Sequence, residues 1–178
     1  MALAADVLGV ARLVAATVFP GALVRGLAAP EGSPVPLLLF GLAAVGDFLD
    51  GALARRAGES SAHGAVLDSA SDGIFVLAAS GSGAALGLVP WAAPLAIAGA
   101  FGAYVVASVR RSARGGALRL ARSPLGHVAG VANYALAGLI ACAAARPGSL
   151  WAPWLRAVSL GVVALNVAAV LGRVVPRT

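Results

Sequence analysis

Four aspartates in one short stretch of the sequence carry its clearest chemical signal. Asp47 and Asp50 are three residues apart, and Asp68 and Asp72 are four apart. On a helix, each spacing puts both members of the pair on one face. Four carboxylates at one site repel each other unless they bind protons or cations. Because the donors are all oxygens, with no histidine or cysteine pair, they favour hard divalent ions such as Mg²⁺ or Mn²⁺.

The residues around the acids suit displacement at phosphorus. Two divalent ions that share carboxylates are a known arrangement for that reaction. Arg55 follows Asp50 closely and can meet a phosphate as it enters the site. Small residues leave space near the acids: Gly51, Ala54 and Gly64. The alternative for the small residues is close packing of membrane helices, and the alternative for Arg55 is an anchor at the membrane interface.

The acids lie in segments that otherwise have the composition of membrane helices. Hydrophobic residues make up 60% of the 178 residues and charged residues 11%, whereas a soluble domain has roughly 25% charged residues. A charge near the bilayer centre costs from ~3 to over 10 kcal/mol, so intramembrane acids are usually functional. A span needs about 20 apolar residues, and the sequence predicts six spans, near 3–23, 36–54, 64–86, 91–109, 125–145 and 155–175. The predicted fold is an all-α polytopic membrane protein with six transmembrane helices, and residues 1–178 form one catalytic domain.

The basic residues predict how the chain is oriented. All 13 are arginines that collect at the ends of apolar spans, as the positive-inside rule expects. With the amino terminus in the cytoplasm, only three fall outside: Arg25, Arg146 and Arg156. The short link between spans two and three is then cytoplasmic and makes these spans antiparallel neighbours. All four carboxylates can thus meet in one pocket at the cytoplasmic side of the inner membrane. The net charge of +6 reflects topology and anionic ligands, and we expect no nucleic-acid binding.

The spacing of the acids and small residues is also that of a known signature. The stretch runs Asp47-x2-Asp50-Gly51-x2-Ala54-Arg55-x8-Gly64-x3-Asp68-x3-Asp72, and it resembles the complete signature of the CDP-alcohol phosphatidyltransferase family. The family core has six membrane helices, so the resemblance extends over the whole chain. Asp6, Gly9 and Arg12 resemble the family's opening Asn-x-x-Thr-x-x-Arg, with aspartate for asparagine and glycine for threonine.

The resemblance implies a role for each residue of the signature. Two divalent ions, Mg²⁺ or Mn²⁺, would be held by Asp47, Asp50, Asp68 and Asp72. The site for the cytidine diphosphate would be lined by Gly51, Ala54, Arg55 and Gly64. Asp72 would also act as the base: the acceptor hydroxyl would lose its proton to Asp72 and attack the lipid-bearing phosphate of CDP-diacylglycerol, and CMP would leave. Family members are commonly homodimers, so a homodimer in membrane lipid is expected.

The acceptor is predicted from an arginine-rich segment on the same side of the membrane. Five arginines lie between spans four and five: Arg110, Arg111, Arg114, Arg119 and Arg122. Such a cluster suits a phosphorylated alcohol such as glycerol 3-phosphate or inositol phosphate, although some arginines only obey the positive-inside rule or contact lipid headgroups. His127 and Asn133 stand where members that make phosphatidylglycerol phosphate often carry lysine and glutamine. We therefore predict acceptor contacts from Arg110, Arg111, Arg114, Arg122 and His127.

Two alternatives to a metal-dependent transferase of phospholipid biosynthesis stay open. The acids could form the relay of an ion or proton transporter, but a transport path needs polar groups along the full span. Spans five and six offer little beyond Asn133 and Asn166. A catalytically idle family member is the other alternative, and the intact signature argues against it.

Overall fold

Six helices make up the part of the chain that the computed structural model describes. That part covers residues 2–57, 62–115, 123–148 and 150–174, and side chains are described for 9–46, 69–113, 123–148 and 150–173. In chain order the helices are α1 (Ala2–Ala28), α2 (Val35–Ala57), α3 (Ala62–Ala85), α4 (Ala92–Gly115), α5 (Pro124–Ala145) and α6 (Trp151–Val174). Each predicted span corresponds to one helix, so the all-α prediction is confirmed.

Four of these helices are long and apolar enough to cross a membrane. They are α1, α4, α5 and α6, over Gly9–Ala28, Ala92–Ala113, Pro124–Ala145 and Trp151–Arg173. In α2 the apolar part among the described residues is the shorter segment Val35–Gly46. The protein is therefore an all-helical membrane protein. Six membrane-crossing helices remain a prediction.

Several helices extend beyond the predicted spans. Helix α4 continues to Gly115, so Arg110 and Arg111 lie on its last turns instead of following it. Helix α6 begins at Trp151, ahead of its predicted start. Helix α3 begins at Ala62, which places His63 in its first turn and not in the predicted link. A span is estimated from apolar composition, whereas a helix continues through polar residues until a breaker or cap ends it.

Local sequence signals account for two of the helix ends. After α3 the chain turns at Gly87, with a φ of 73°, a value that glycine adopts without a Cβ penalty. Gly87 N donates to Ala84 O and Leu88 N to Gly83 O, the pair of hydrogen bonds that closes a Schellman motif. At the start of α5, Ser123 Oγ accepts a 3.1 Å hydrogen bond from Gly126 N, and Pro124 occupies the first turn, where its missing N–H costs nothing.

The packing of the helices brings α1 next to both acid-bearing helices, α2 and α3. Helix α1 packs against α2, α3 and α5, while α6 packs against α4 and α5. Phe19 of α1 and Phe75 of α3 are fully buried and meet edge to face, with ring centroids 5.6 Å apart. Large apolar side chains elsewhere point outward, and Leu95 and Leu160 are 66% and 68% exposed. A small-residue interior with an apolar exterior is the pattern of helices that pack in lipid, and it brings α1 alongside the acid-bearing helices.

Candidate functional site

The helices place the four acids as the spacing predicts. Asp47 and Asp50 lie in α2, near its end at Ala57, and Asp68 and Asp72 lie in α3. Asp72 is about three turns inside α3. The side chains of Asp47, Asp50 and Asp68 lie outside the described residues. The positions predicted to line the cytidine diphosphate site also lie outside the residues with described side chains: Gly51, Ala54, Arg55 and Gly64.

Asp72 is the member of the signature whose side-chain contacts are described, and two helices reach it from outside α3. Arg12 Nη1, from α1, lies 2.8 Å from Asp72 Oδ1. Tyr134, from α5, donates a 2.6 Å hydrogen bond to the same oxygen. Arg12 Nη1 also donates to Ser71 Oγ at 3.0 Å. We call Arg12, Ser71, Asp72 and Tyr134 the Asp72 cluster. It joins α1, α3 and α5 at one carboxylate.

Burial explains why Arg12 belongs to this cluster. Its side chain is 1% exposed, while that of Asp72 is 24% exposed. A guanidinium removed from water needs an anion and hydrogen-bond acceptors to offset its lost hydration. Asp72 supplies the anion and Ser71 a neutral acceptor. The partial exposure of Asp72 leaves its carboxylate within reach of a bound molecule.

Aromatic rings fix the position of Tyr134. Its ring stacks on Phe75, with centroids 6.3 Å apart and planes 25° apart, and tilts against Phe40 at 6.4 Å. Helix α5 admits Phe40 at Gly138, where an added Cβ would lie 2.9 Å from Phe40 Cζ. The sequence analysis missed Tyr134. Its only sequence signal is a single phenol in an apolar helix, which usually needs a hydrogen-bond partner when buried.

The predicted acceptor residues are less closely connected. Arg110, Arg111 and His127 are exposed. The backbone of Arg114 lies in α4 while its side chain is outside the described residues, and Arg122 is outside them entirely. Exposed arginines at a helix end fit the positive-inside and headgroup alternatives as well as a substrate site.

Arg173, near the end of α6, has a more structured environment that the sequence analysis did not assign. Its guanidinium carbon lies 5.8 Å from the centroid of the Tyr104 ring, within the range of a cation–π contact. An added Cβ at Gly126 would lie 2.6 Å from Arg173 Nη2, so the glycine leaves room for the guanidinium beside the first turn of α5. Arg173 Nη1 donates to Ala169 O at 3.3 Å, and Nε is buried without a hydrogen-bond partner among the described residues.

Tyr104 connects Arg173 to the acid-bearing helix. Its hydroxyl donates a 3.3 Å hydrogen bond to Ser69 Oγ, and Ser69 stands between Asp68 and Asp72 in α3. The arginine, the start of α5 and the acid-bearing part of α3 therefore lie at the same end of the bundle. Asn133, which stands at the family's glutamine position, instead pairs with Asn166 of α6, whose Nδ2 donates to Asn133 Oδ1 at 2.7 Å.

A divalent ion fits the donors that the signature offers. Within the described side chains there is no group of three or more histidine, cysteine, aspartate or glutamate residues, since three of the four acids lie outside them. Asp72 is a partly exposed carboxylate, the ligand type that Mg²⁺ and Mn²⁺ prefer. The site chemistry therefore agrees with a hard ion at the α2–α3 acids.

Comparisons with known proteins support the resemblance found in the sequence. The family model for CDP-alcohol phosphatidyltransferase matches residues 2–172, which is nearly the whole chain. A comparison with curated proteins gives no significant match.

Proposed function

The chain belongs to the CDP-alcohol phosphatidyltransferase family, and from this premise we propose that it transfers the phosphatidyl group of CDP-diacylglycerol to a small polar alcohol. The acceptor is a phosphorylated alcohol of the glycerol 3-phosphate or inositol phosphate type, and the second product is CMP. The reaction belongs to phospholipid biosynthesis, takes place at the cytoplasmic side of the inner membrane, and keeps the lipid tails in the bilayer.

The observation that supports the proposal most directly is the environment of the Asp72 carboxylate. Asp72 occupies the last position of the signature, is partly exposed, and is held on Oδ1 by Arg12 and Tyr134. In the proposed reaction Asp72 takes the proton of the acceptor hydroxyl. The acceptor oxygen then bonds to the lipid-bearing phosphorus, and the bond from that phosphorus to the CMP oxygen breaks, with its electron pair leaving on CMP. Phosphoryl transfer mainly needs positioning and charge neutralisation, and a fixed carboxylate contributes to positioning.

The other three acids would hold divalent ions, Mg²⁺ or Mn²⁺, with Asp72 helping to ligate them. Bound there, the ions would neutralise charge on the diphosphate and on the departing CMP. Asp47 and Asp50 would supply ligands from α2, and Asp68 would supply them from α3. Arg55, in the last turns of α2, would orient the diphosphate by a charge-assisted hydrogen bond. Gly51, Ala54 and Gly64 would leave room for the nucleotide.

Arg173 is the strongest candidate for the acceptor phosphate. Unlike the exposed Arg110 and Arg111, it is half-buried, and its guanidinium is held between Tyr104 and Gly126. A guanidinium that is already ordered loses less conformational freedom when it binds a phosphate. The predicted acceptor arginines would add a positive field around the acceptor: Arg110, Arg111, Arg114 and Arg122. His127 would contact the acceptor.

A homodimer is part of the same proposal. Added Cβ atoms at Gly81, Gly99 and Gly102 would meet nothing within 4 Å, so these positions on α3 and α4 leave space for close approach of another helix. Small residues on an outward helix face allow membrane helices to pack tightly.

The test is CMP release from CDP-diacylglycerol by the purified protein in detergent. The assay uses Mg²⁺ or Mn²⁺ and a panel of glycerol 3-phosphate, inositol phosphate, free inositol, serine and phosphatidylglycerol. We expect release with one phosphorylated acceptor, loss of release with a chelator, and a loss of about 100-fold or more in Asp72→Asn. Glu31→Gln is the matched control, because it removes an acid from an exposed loop and should keep full activity.

Three results would contradict the proposal. Full activity in Asp72→Asn would exclude this residue as the base. Release that persists after chelation would exclude the metal. No release with any acceptor, together with metal-dependent ion flux in liposomes, would favour the transporter alternative.

A further inference from the structure

Tyr134 is the one uncharged donor to Asp72 among the described contacts, and it comes from a helix that carries none of the signature acids. We propose that Tyr134 is a positioning residue that fixes the orientation of the Asp72 carboxylate for proton transfer from the acceptor. This inference rests on the proposed function, because it assigns Tyr134 a task in that reaction.

The direction of the Tyr134 hydroxyl is set by packing. A tyrosine side chain has two rotatable bonds before the hydroxyl, and the contacts of the ring with Phe75 and Phe40 restrict both. Phe75 is fully buried and belongs to α3, as Asp72 does. The ring of Tyr134 therefore fixes the position of α5 relative to α3. At the same height in the bundle, its hydroxyl donates a 2.6 Å hydrogen bond to the Asp72 carboxylate.

Arg12 and Tyr134 bind the same oxygen but contribute differently. Arg12 Nη1 contacts Oδ1 from α1 at 2.8 Å and balances the charge. Tyr134 contacts Oδ1 from α5 without a charge. Because the two donors come from different helices, rotation of the carboxylate group would disrupt both contacts. Removal of the tyrosine hydroxyl alone should therefore leave the ion pair intact while the carboxylate gains rotational freedom.

Such freedom should lower the rate constant more than it lowers substrate affinity. A reacting group misplaced by about 1 Å can cost on the order of 100-fold in rate. A carboxylate that keeps one of its two donors should lose less, about 10-fold in kcat. The KM for the acceptor should stay within about twofold, because the hydroxyl contacts the base and not the acceptor phosphate. Because Asp72 also helps to ligate the metal in the proposed site, the same freedom should weaken metal binding.

The experiment compares Tyr134→Phe with Ser80→Ala. The first variant keeps the ring and its aromatic contacts. The second removes a buried hydroxyl of α3, which donates a 2.8 Å hydrogen bond to Val76 O within its own helix. The readouts are kcat and KM for CMP release, and the MnCl₂ concentration that gives half of the metal-induced rise in Tm in the absence of substrate. We expect Tyr134→Phe to lower kcat and raise the MnCl₂ midpoint, and Ser80→Ala to change neither.

The outcomes separate this inference from the proposed function. Wild-type release with unchanged kcat in Tyr134→Phe overturns the inference and leaves the function standing. Equal losses in both variants also overturn it, because they indicate general loosening of α3. If the wild-type protein releases no CMP, the proposed function fails. The MnCl₂ midpoint then decides whether Tyr134 still orients Asp72, and an unchanged midpoint overturns the inference.

Discussion

In the proposed reaction, the Asp72 carboxylate accepts a proton and must stay in place, so it needs partners on one side and access on the other. The Asp72 cluster meets the first need with a buried guanidinium and a phenol on Oδ1. Charge-assisted hydrogen bonds of this kind are shorter and about twice as strong as neutral ones. Since Arg12 is almost completely buried, its pairing with Asp72 should also stabilise the fold.

We predict that Arg12→Gln lowers the free energy of unfolding by about 3 kcal/mol or more, because it leaves a largely buried carboxylate without its cation. The double variant Arg12→Gln/Asp72→Asn should be more stable than Arg12→Gln alone. Reversible denaturation in detergent, followed by circular dichroism, gives the coupling energy of the cycle. If the double variant lost as much free energy of unfolding as the two single variants together, the two side chains would not stabilise one another.

At this scale the sequence pointed to candidate acids but not to the residues that contact them. The spacing of the four acids predicted shared helix faces, and the family resemblance implied that Asp72 is the base, which stays a prediction. Arg12 carried a readable signal, because a lone arginine in an apolar helix needs an acid, but four acids were available. Tyr134 is 62 residues from Asp72. No periodicity connects residues on two helices that come together only when the bundle packs.

Between helices, two contacts set how α6 meets its neighbours at the acid-bearing end. Asn133 and Asn166 exchange hydrogen bonds between α5 and α6, with Nδ2 to Oδ1 distances of 3.4 Å and 2.7 Å. Such amide pairs hold membrane helices together at a fixed register. Arg173 follows on α6 and reaches Tyr104 of α4 and the first turn of α5. The register of α6 therefore decides where the Arg173 guanidinium lies.

We predict that Arg173→Gln raises the KM for the phosphorylated acceptor by about 10-fold or more, since a charged hydrogen bond is worth roughly 1.5–3 kcal/mol. The matched control is Arg156→Gln, which removes an exposed arginine near the other end of the same helix. Initial rates of CMP release at varied acceptor concentration measure the effect. An equal rise in KM for both variants would show that the effect comes from the net charge of the protein and not from a contact of Arg173. No rise in either variant would show that Arg173 does not bind the acceptor.

The helices themselves were predictable and their exact ends were not. Apolar runs located all six helices, and among the described residues four of these helices are long and apolar enough to cross a membrane. Helix α4 extends to Gly115. Such an extension depends on local hydrogen bonding, which apolar composition does not predict. It moved Arg110 and Arg111 onto a helix surface. Arg173 was counted in the sequence only as a topological charge, since its contacts depend on the packing of α4, α5 and α6.

For the molecule as a whole, the distribution of arginine determines the expected orientation. The sequence has 13 basic and seven acidic residues. The acid pairs, the end of α4 and the end of α6 all lie at one end of the bundle, and that end carries most of the arginines within the described part of the chain. Anionic lipid attracts such an end to the cytoplasmic leaflet at roughly 1 kcal/mol per basic residue. In the proposed reaction, the nucleotide headgroup of the lipid donor and the phosphorylated acceptor would also meet the site from the cytoplasm.

We predict that the loop between α1 and α2 faces away from the cytoplasm and that the end of α4 faces it, because the positive-inside rule places the arginine-rich end inside. In a Cys142→Ala background, which removes the one native thiol, Glu31→Cys and Ala113→Cys place single thiols at exposed positions of these two ends. With the outer membrane made permeable, a membrane-impermeant maleimide should label Glu31→Cys in otherwise intact cells. It should label Ala113→Cys only after the inner membrane is opened. The reverse pattern would place the acids on the outer face and would contradict both the predicted orientation and the proposed cytoplasmic reaction.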